Sequence, residues 1–316
     1  MITILAGGTG AAKFIRGLVE CVPQEEITII GNTGDDVIVW GLHVSPDLDT
    51  IMYLLTGLLD EERGWGIRDD SFACLQAMQQ FDEITWFQLG DRDLATHIER
   101  TCLLRQGLTL SEVTSRLCQA LGVKARILPM SEERVETRIH TPNGILSFQE
   151  FFVRDRWAAN VTAVDYHGSE QAHPAPGVLE AIYATDAIII APSNPITSIG
   201  PILAVNGIRQ ALFETLVPVV AISPIVGGRA VSGPAGKLMA AFDYDVSAIG
   251  VARMYRDFLD ALVIDEQDAD LTPTIERLGA RVVCANTIMQ TLSDKVSLAR
   301  TVLACLNELD SARTHP

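Results

Sequence analysis

Two carboxylates, Asp47 and Asp49, stand two residues apart in SPDLDTIMYLLTG. In an extended segment residues i and i+2 project to one side, so both could face a single cation. Two protein oxygens completed by water and phosphate are an ordinary way to hold Mg²⁺. The alternative is a helix start decorated with acids. Further along, FQLGDRDLATHIER brings Asp91, Arg92, Asp93, Thr96, His97 and Arg100 together. A helix beginning near Asp93 would carry His97 and Arg100 on its own face at i+4 and i+7, either for chemistry or as a surface ladder of ion pairs.

Glycine-rich segments offer the complementary, anion-binding chemistry. GGTGAAK fills residues 7–13, between an apolar run and a helix-like run. Gly7, Gly8 and Gly10 let backbone N–H groups approach an anion, the helix adds its positive end, and Lys13 follows one turn in. The Walker loop is excluded because Lys13 follows two alanines and precedes Phe14, and the dinucleotide fingerprint needs a third glycine where Lys13 stands. A tight turn without a ligand is the alternative. GNTGDD (31–36) sets Asn32, Thr33, Asp35 and Asp36 after a second apolar run, as a site or as a polar turn. APSNPITSIGPIL offers Ser193 and Asn194 before a proline, and SPIVGGRAVSGPAGKLM combines four glycines with Arg229, Ser232 and Lys237, as a second anion cradle would.

These segments need strands to present them. Short apolar runs at 2–5, 26–30, 187–191, 218–223, 261–265 and 282–284 each end in polar or glycine-rich residues, as strands of a parallel sheet covered on both faces do. The expected fold is a doubly wound, mostly parallel α/β core over 1–66 and 124–316. Between 67 and 123 the apolar spacing turns helical, which predicts an inserted helical subdomain with one helix opening on Ser111. RVETRIHTPNGILSFQEFFV alternates around Pro-Asn-Gly and predicts a β-hairpin over 134–153. The tail after Asp310 is expected to fray.

The chain has 316 residues, is 48% hydrophobic and carries a formal charge of -16. That charge argues against nucleic acid or an acidic membrane as partner, because phosphate backbones demand basic surface. No apolar stretch reaches the roughly 20 residues of a membrane span, and no basic leader opens the sequence, so a cytoplasmic protein is expected. Six scattered cysteines lack metal-ligand or redox spacing and read as buried free thiols.

Taken in order, AGGTGAAKF, SPDLDT, LGDRDLATH, LPMS (128–131), PSNPITSIGPIL and SPIVGGRAVSGPAGKLM resemble the CofD family, the 2-phospho-L-lactate transferases of coenzyme F-420 biosynthesis. The resemblance implies a Rossmann-like, three-layer fold, a Mg²⁺ requirement and a homodimer. It also implies a transferase that joins a phosphorylated three-carbon acid, carried on a guanosine diphosphate derivative, to the hydroxyl of the deazaflavin FO and releases GMP. By position, Asp49 and Gln88 fall where the family contacts FO. Gln88 stands where a family example carries lysine, which removes the charge from that contact. Gly8, Thr9 and Gly10 of the first loop, together with Ser193 and Asn194, fall where the guanine nucleotide is expected. The diphosphate would span the first loop and the loop bearing Arg229 and Lys237. Asp49 is the candidate to orient or deprotonate the hydroxyl, with Asp91, Asp93 and His97 as second choices. The donor's acid stays open among lactyl, enolpyruvyl and glyceryl forms. A sister family, the YvcK-type regulators that bind a UDP-sugar, shares the GGTG start, but SPDLDT and LGDRDLATH favour the transferase.

Overall fold

The computed structural model describes residues 1–81 and 84–314. Seven segments form a central sheet: β1 (Ile2–Ala6), β2 (Ile27–Gly31), β3 (Arg126–Pro129), β4 (Ala187–Ile190), β5 (Val219–Ile222), β6 (Ala261–Asp265) and β7 (Arg281–Ala285). Every neighbouring pair is parallel, in the order β7-β6-β5-β4-β1-β2-β3. Successive residues of a strand face opposite sides. Leu5, Ile30, Ile188 and Leu262 accordingly enter one apolar layer, while Ile4, Ile29, Ile189 and Val263 enter the other. Burial on both faces is why these strands read as unbroken apolar runs.

The chain builds β1, β2 and β3 towards one edge, then crosses back to lay β4 beside β1 and continues to the other edge. The β1–β4 pair is therefore a topological switch point. The connections leaving these two strands diverge to opposite sides, and a crevice opens at their carboxyl ends. Strand β3 was not among the expected runs. It has four residues and an exposed Arg126, too little apolar pattern to register as a strand.

Among the described residues the longer helices are α1 (Gly8–Leu18), α2 (Pro46–Leu55), α3 (Asp93–Arg105), α4 (Leu110–Leu121) and α5 (Leu292–Thr314). Helix α1 lies close against α5 at Gly17, where an added Cβ would sit 2.2 Å from the Lys295 carbonyl oxygen. Helix α5 runs through Thr314, so the backbone after Asp310 is helical there, and residues 315–316 lie outside the described residues. Helix α4 starts from a capping box between Thr109 and Glu112 rather than from Ser111, since the Thr109 hydroxyl accepts the Glu112 N–H.

Described residues of the 67–123 segment pack against the rest of the chain. Leu103, Val113 and Leu117 join the same apolar layer as Ile29, and Phe87, Leu89 and Leu94 pack with Val39 and Val44. These last two come from a hairpin of Val37–Val39 with Leu42–Val44, which turns at Trp40 and Gly41 with φ of 52° and 75°. Positive φ at both central residues is the mark of a two-residue hairpin turn, and here Trp stands where Asn or Asp usually signals it. The expected hairpin forms from Glu136–Thr141 and Gly144–Ser147, and Ala163–His167 adds a third antiparallel strand. Its second strand stops at Ser147, after which Glu150–Arg154 makes a π-helical turn. All six cysteines are free, but only Cys118 and Cys305 are buried, against the expectation for all of them. Among the described residues no helix is long and apolar enough to cross a membrane.

Candidate functional site

A cavity of about 1240 Å³ opens at the switch point. Its walls come from the loops after β1, β4, β5 and β7, from α2 and α3, and from the 61–66, 86–89 and 148–157 segments. Gly8, Thr9, Gly10 and Lys13 line it, as the first loop was expected to. The glycines also have a packing duty. A Cβ on Gly7 would sit 2.6 Å from Asp47 Oδ2, and one on Gly10 would sit 2.1 Å from the Pro192 carbonyl oxygen. They let the β1 loop close against α2 and against the loop after β4. Two of the N–H groups are already engaged, Gly7 donating to Ser193 Oγ at 3.3 Å and Gly8 to Asp47 Oδ1 at 2.8 Å. Ser193 thus braces the glycine turn from behind and is not on the wall. Asn194 is on the wall, its Oδ1 accepting from the N–H of Ile196 at 3.0 Å.

Asn32 organises the acidic floor. Fully buried after β2, its Nδ2 faces Asp47 Oδ2 at 2.9 Å, Asp35 Oδ2 at 3.1 Å and the Thr197 carbonyl at 3.2 Å. Its Oδ1 accepts the Gly34 N–H at 2.8 Å. The Oδ1 atoms of Asp35 and Asp36 are buried without a hydrogen-bond partner. Burial drives Asp35 well above the usual carboxylate range, with Asp47 adding repulsion. Burial also raises Asp36, against the hydrogen bond from His43, and pushes Asp47 up to about 6, against the hydrogen bonds from Asn32 and Gly8. Concentrated carboxylates with spare oxygens suit a hard cation. Asp35, with its unpartnered Oδ1, and Asp47, whose two oxygens each take one neutral N–H donor and keep a lone pair, both line the cavity and are the residues that could hold Mg²⁺, completed by water and substrate. Among the described residues no group of three or more His, Cys, Asp or Glu forms an all-protein metal cage.

Asp49 does not fit that role. The 46–55 segment is helix, not an extended strand, so Asp47 and Asp49 point about 200° apart around its axis. Both Asp49 oxygens are held by the fully buried Arg100, Oδ2 at 3.1 Å from Nη1 and Oδ1 in contact with Nη2. Helix α3 begins at Asp93 and places Asp93, His97 and Arg100 on the face against α2. Arg100 Nη1 also lies 3.3 Å from His97 Nδ1. Arginine can only donate, so this nitrogen accepts and the imidazole proton sits on Nε2. Nε2 is 3.2 Å from Asp93 Oδ1 but off the hydrogen-bond line. Tyr53, one turn beyond Asp49, donates to Asp93 Oδ1 at 2.7 Å. Burial pushes Asp93 up, but His97 and Tyr53 outweigh it and hold the carboxyl below its usual value.

Asp91 is elsewhere. Its carboxylate accepts from Ser71 Oγ at 2.6 Å and from the N–H groups of Ala73 and Cys74 at 2.9 Å, capping the Ala73–Met78 helix away from the cavity. The expected second cradle is also rearranged. Ser232, Gly233 and Pro234 reach the wall, but Arg229 lies in a small exposed hairpin, and Lys237 donates to the carbonyls of Trp157 and Ala158 at 2.8 and 3.2 Å. The cationic side chains on the wall are Lys13, Arg63, Arg156 and Lys295.

Aromatic rings complete the wall. Phe148, Phe152 and Trp157 stack in series with centroid separations of 5.3 and 5.2 Å. Trp86 and Phe87 meet edge to face immediately before Gln88, which also lines the cavity, and Arg63 lies over Trp65 at 5.8 Å. Sequence reasoning missed these rings and three of the four cations. The available signals were the FFVRDRW run and the glycine-flanked tryptophan in RGWG. Arg156 and Trp157 both adopt φ of 48°, an uncommon backbone for non-glycine residues that only the structure reveals.

A model of the family described as "2-phospho-L-lactate transferase CofD" matches residues 2–299. A 2-phospho-L-lactate transferase from Methanosarcina mazei is 45% identical over 300 residues, covering 95% of this chain and 98% of that one. A phosphoenolpyruvate transferase from Streptomyces griseus is 45% identical over 314 residues, covering 98% and 99%. The crystal structure of a UPF0052-family protein from Bacillus halodurans superposes with a TM-score of 0.63 at 16% identity, covering 96% and 98%, which establishes a shared fold.

Proposed function

The chain belongs to the CofD family of 2-phospho-L-lactate transferases, and on that premise we propose that it carries a phosphorylated three-carbon acid from a guanosine diphosphate derivative to the side-chain hydroxyl of FO. The FO oxygen attacks the phosphorus that bears the acid, the bond to GMP breaks, and the hydroxyl proton leaves to a cavity carboxylate or water. The observation that carries this reading is a single cavity with cations and aromatic rings on its walls and carboxylates at its floor. Lys13, Arg63 and Lys295 meet the donor's phosphates, the rings offer flat faces to a deazaflavin or guanine, and Asp49 and Gln88 face the acceptor. Mg²⁺ held by Asp35 and Asp47 would offset charge on the departing phosphate. The chain's own contribution is alignment and charge stabilisation, with no covalent enzyme intermediate. The reading includes a homodimer, to be checked by light scattering.

Both lactyl and enolpyruvyl donors belong to the proposal, because relatives of equal identity carry either name. Purified protein is incubated with FO, Mg²⁺ and the lactyl, enolpyruvyl and glyceryl donors in turn. GMP release that requires both FO and one donor is expected. Its absence with every donor, together with a thermal shift on UDP-sugars, would sink the transferase reading in favour of a regulator.

A further inference from the structure

Arg100 has no task in the reaction as described, yet it is a fully buried charge one side chain away from the cavity. Its Nε is buried without a partner, so removal from water is only partly offset. What the guanidinium does do is grip Asp49 through two nitrogens and His97 through one of them. A carboxylate has about four lone-pair sites, of which a bidentate guanidinium takes two. The rest of Asp49 forms part of the cavity wall. We infer that Arg100 is a positioning residue, which locks the Asp49 carboxylate in one orientation so that its remaining lone pairs receive the acceptor's hydroxyl. The inference rests on the reading of the cavity as an acceptor site.

The surroundings support a positioning role. Asp49 and Tyr53 are i and i+4 on α2, and Asp93, His97 and Arg100 are i, i+4 and i+7 on α3. Two cross-links join the helices side by side, Asp49 to Arg100 and Tyr53 to Asp93. The second involves neither Asp49 nor Arg100. His97 bears on Arg100 from within α3 and fixes the guanidinium plane. Lysine supplies the same charge but is a point donor and does not reproduce the two-pronged grip.

The test is a double-mutant cycle on the full chain with Arg100→Lys, Asp49→Asn and the pair. FO binding is followed by its fluorescence, KM is measured for acceptor and donor separately, and melting temperature is recorded. Arg100→Lys is expected to raise the acceptor KM and FO Kd about tenfold or more while the donor KM stays within about twofold. On the Asp49→Asn background the same change is expected to add almost nothing. A parallel rise of both KM values, an additive cycle, or an unchanged acceptor KM in Arg100→Lys overturns the inference while the transferase reading stands. Wild-type protein that neither binds FO nor releases GMP overturns the reading and the inference with it. Should Arg100→Lys fail to fold, Asp49→Asn with Arg100→Gln leaves two neutral amides. It is expected to match Asp49→Asn alone in FO binding, and an added loss overturns the inference.

Discussion

Asp35 is costly to ionise where it stands: one oxygen lacks a partner, and burial with repulsion from Asp47 lifts it well above the usual carboxylate range. A raised acid binds its proton more tightly folded than unfolded. Its favourable term is therefore present below the unfolded value of 3.8 and lost as pH climbs through the folded value. Asp35→Asn keeps an oxygen for Asn32 and removes the charge. It is expected to melt with wild type near pH 4 and about 2 to 4 °C above it at pH 8, while turnover falls by at least about a hundredfold. Equal melting at pH 8 with full turnover would show Asp35 to be an ordinary turn residue. Asp91 should behave oppositely, since Asp91→Ala removes a helix cap and is expected to lower the melting temperature while leaving turnover unchanged. Sequence spacing made the acids visible as a group but could not rank them. That the first-turn acids of α2 diverge, Asp47 to the glycine turn and Asp49 to Arg100, depends on which neighbours the fold supplies.

Elements that alternate or repeat strongly were legible in the sequence, and elements set by turn geometry were not. Helix α3 is read from apolar spacing and its acidic start, whereas the Trp40–Gly41 hairpin hides because tryptophan is an unusual occupant of a positive-φ turn. The stacked rings were illegible for a similar reason. The expected strand to 153 would have sent Phe148 and Phe152 along an extended ladder, but the π-helical turn brings them onto Trp157. Phe152 is the middle ring of that stack, so Phe152→Ala is expected to leave a gap that a planar ligand ring can no longer bridge. Stacking against an aromatic side chain is worth about 1 to 3 kcal/mol, so FO affinity should fall by about tenfold with donor affinity little changed. A loss confined to the donor would mean that guanine, not the deazaflavin, lies on these rings. No loss for either ligand would remove the stack from the site.

Six of the seven strands of the sheet were legible because both faces are buried and the strands read as apolar runs, but their order was not; the cavity follows from that order, at the pair where it reverses. Assembly of its walls was not legible, since the cations at 13, 63, 156 and 295 meet only after the chain has folded. These cations sit in a chain of formal charge -16, which sets two opposing electrostatic ranges. At 10 mM salt the Debye length is about 30 Å, and an approaching anionic donor feels the repulsion of the entire surface. Near 150 mM it shrinks to about 8 Å, and only the cationic mouth remains effective. The kcat/KM for the guanylated donor is therefore expected to rise roughly two- to tenfold across that range before falling at higher salt, while binding of FO stays flat. Stopped-flow or steady-state rates at fixed free Mg²⁺ would measure this. A donor rate that falls steadily from the lowest salt upward would show that the local cations already dominate at long range, and that the acidic surface has no hand in substrate entry.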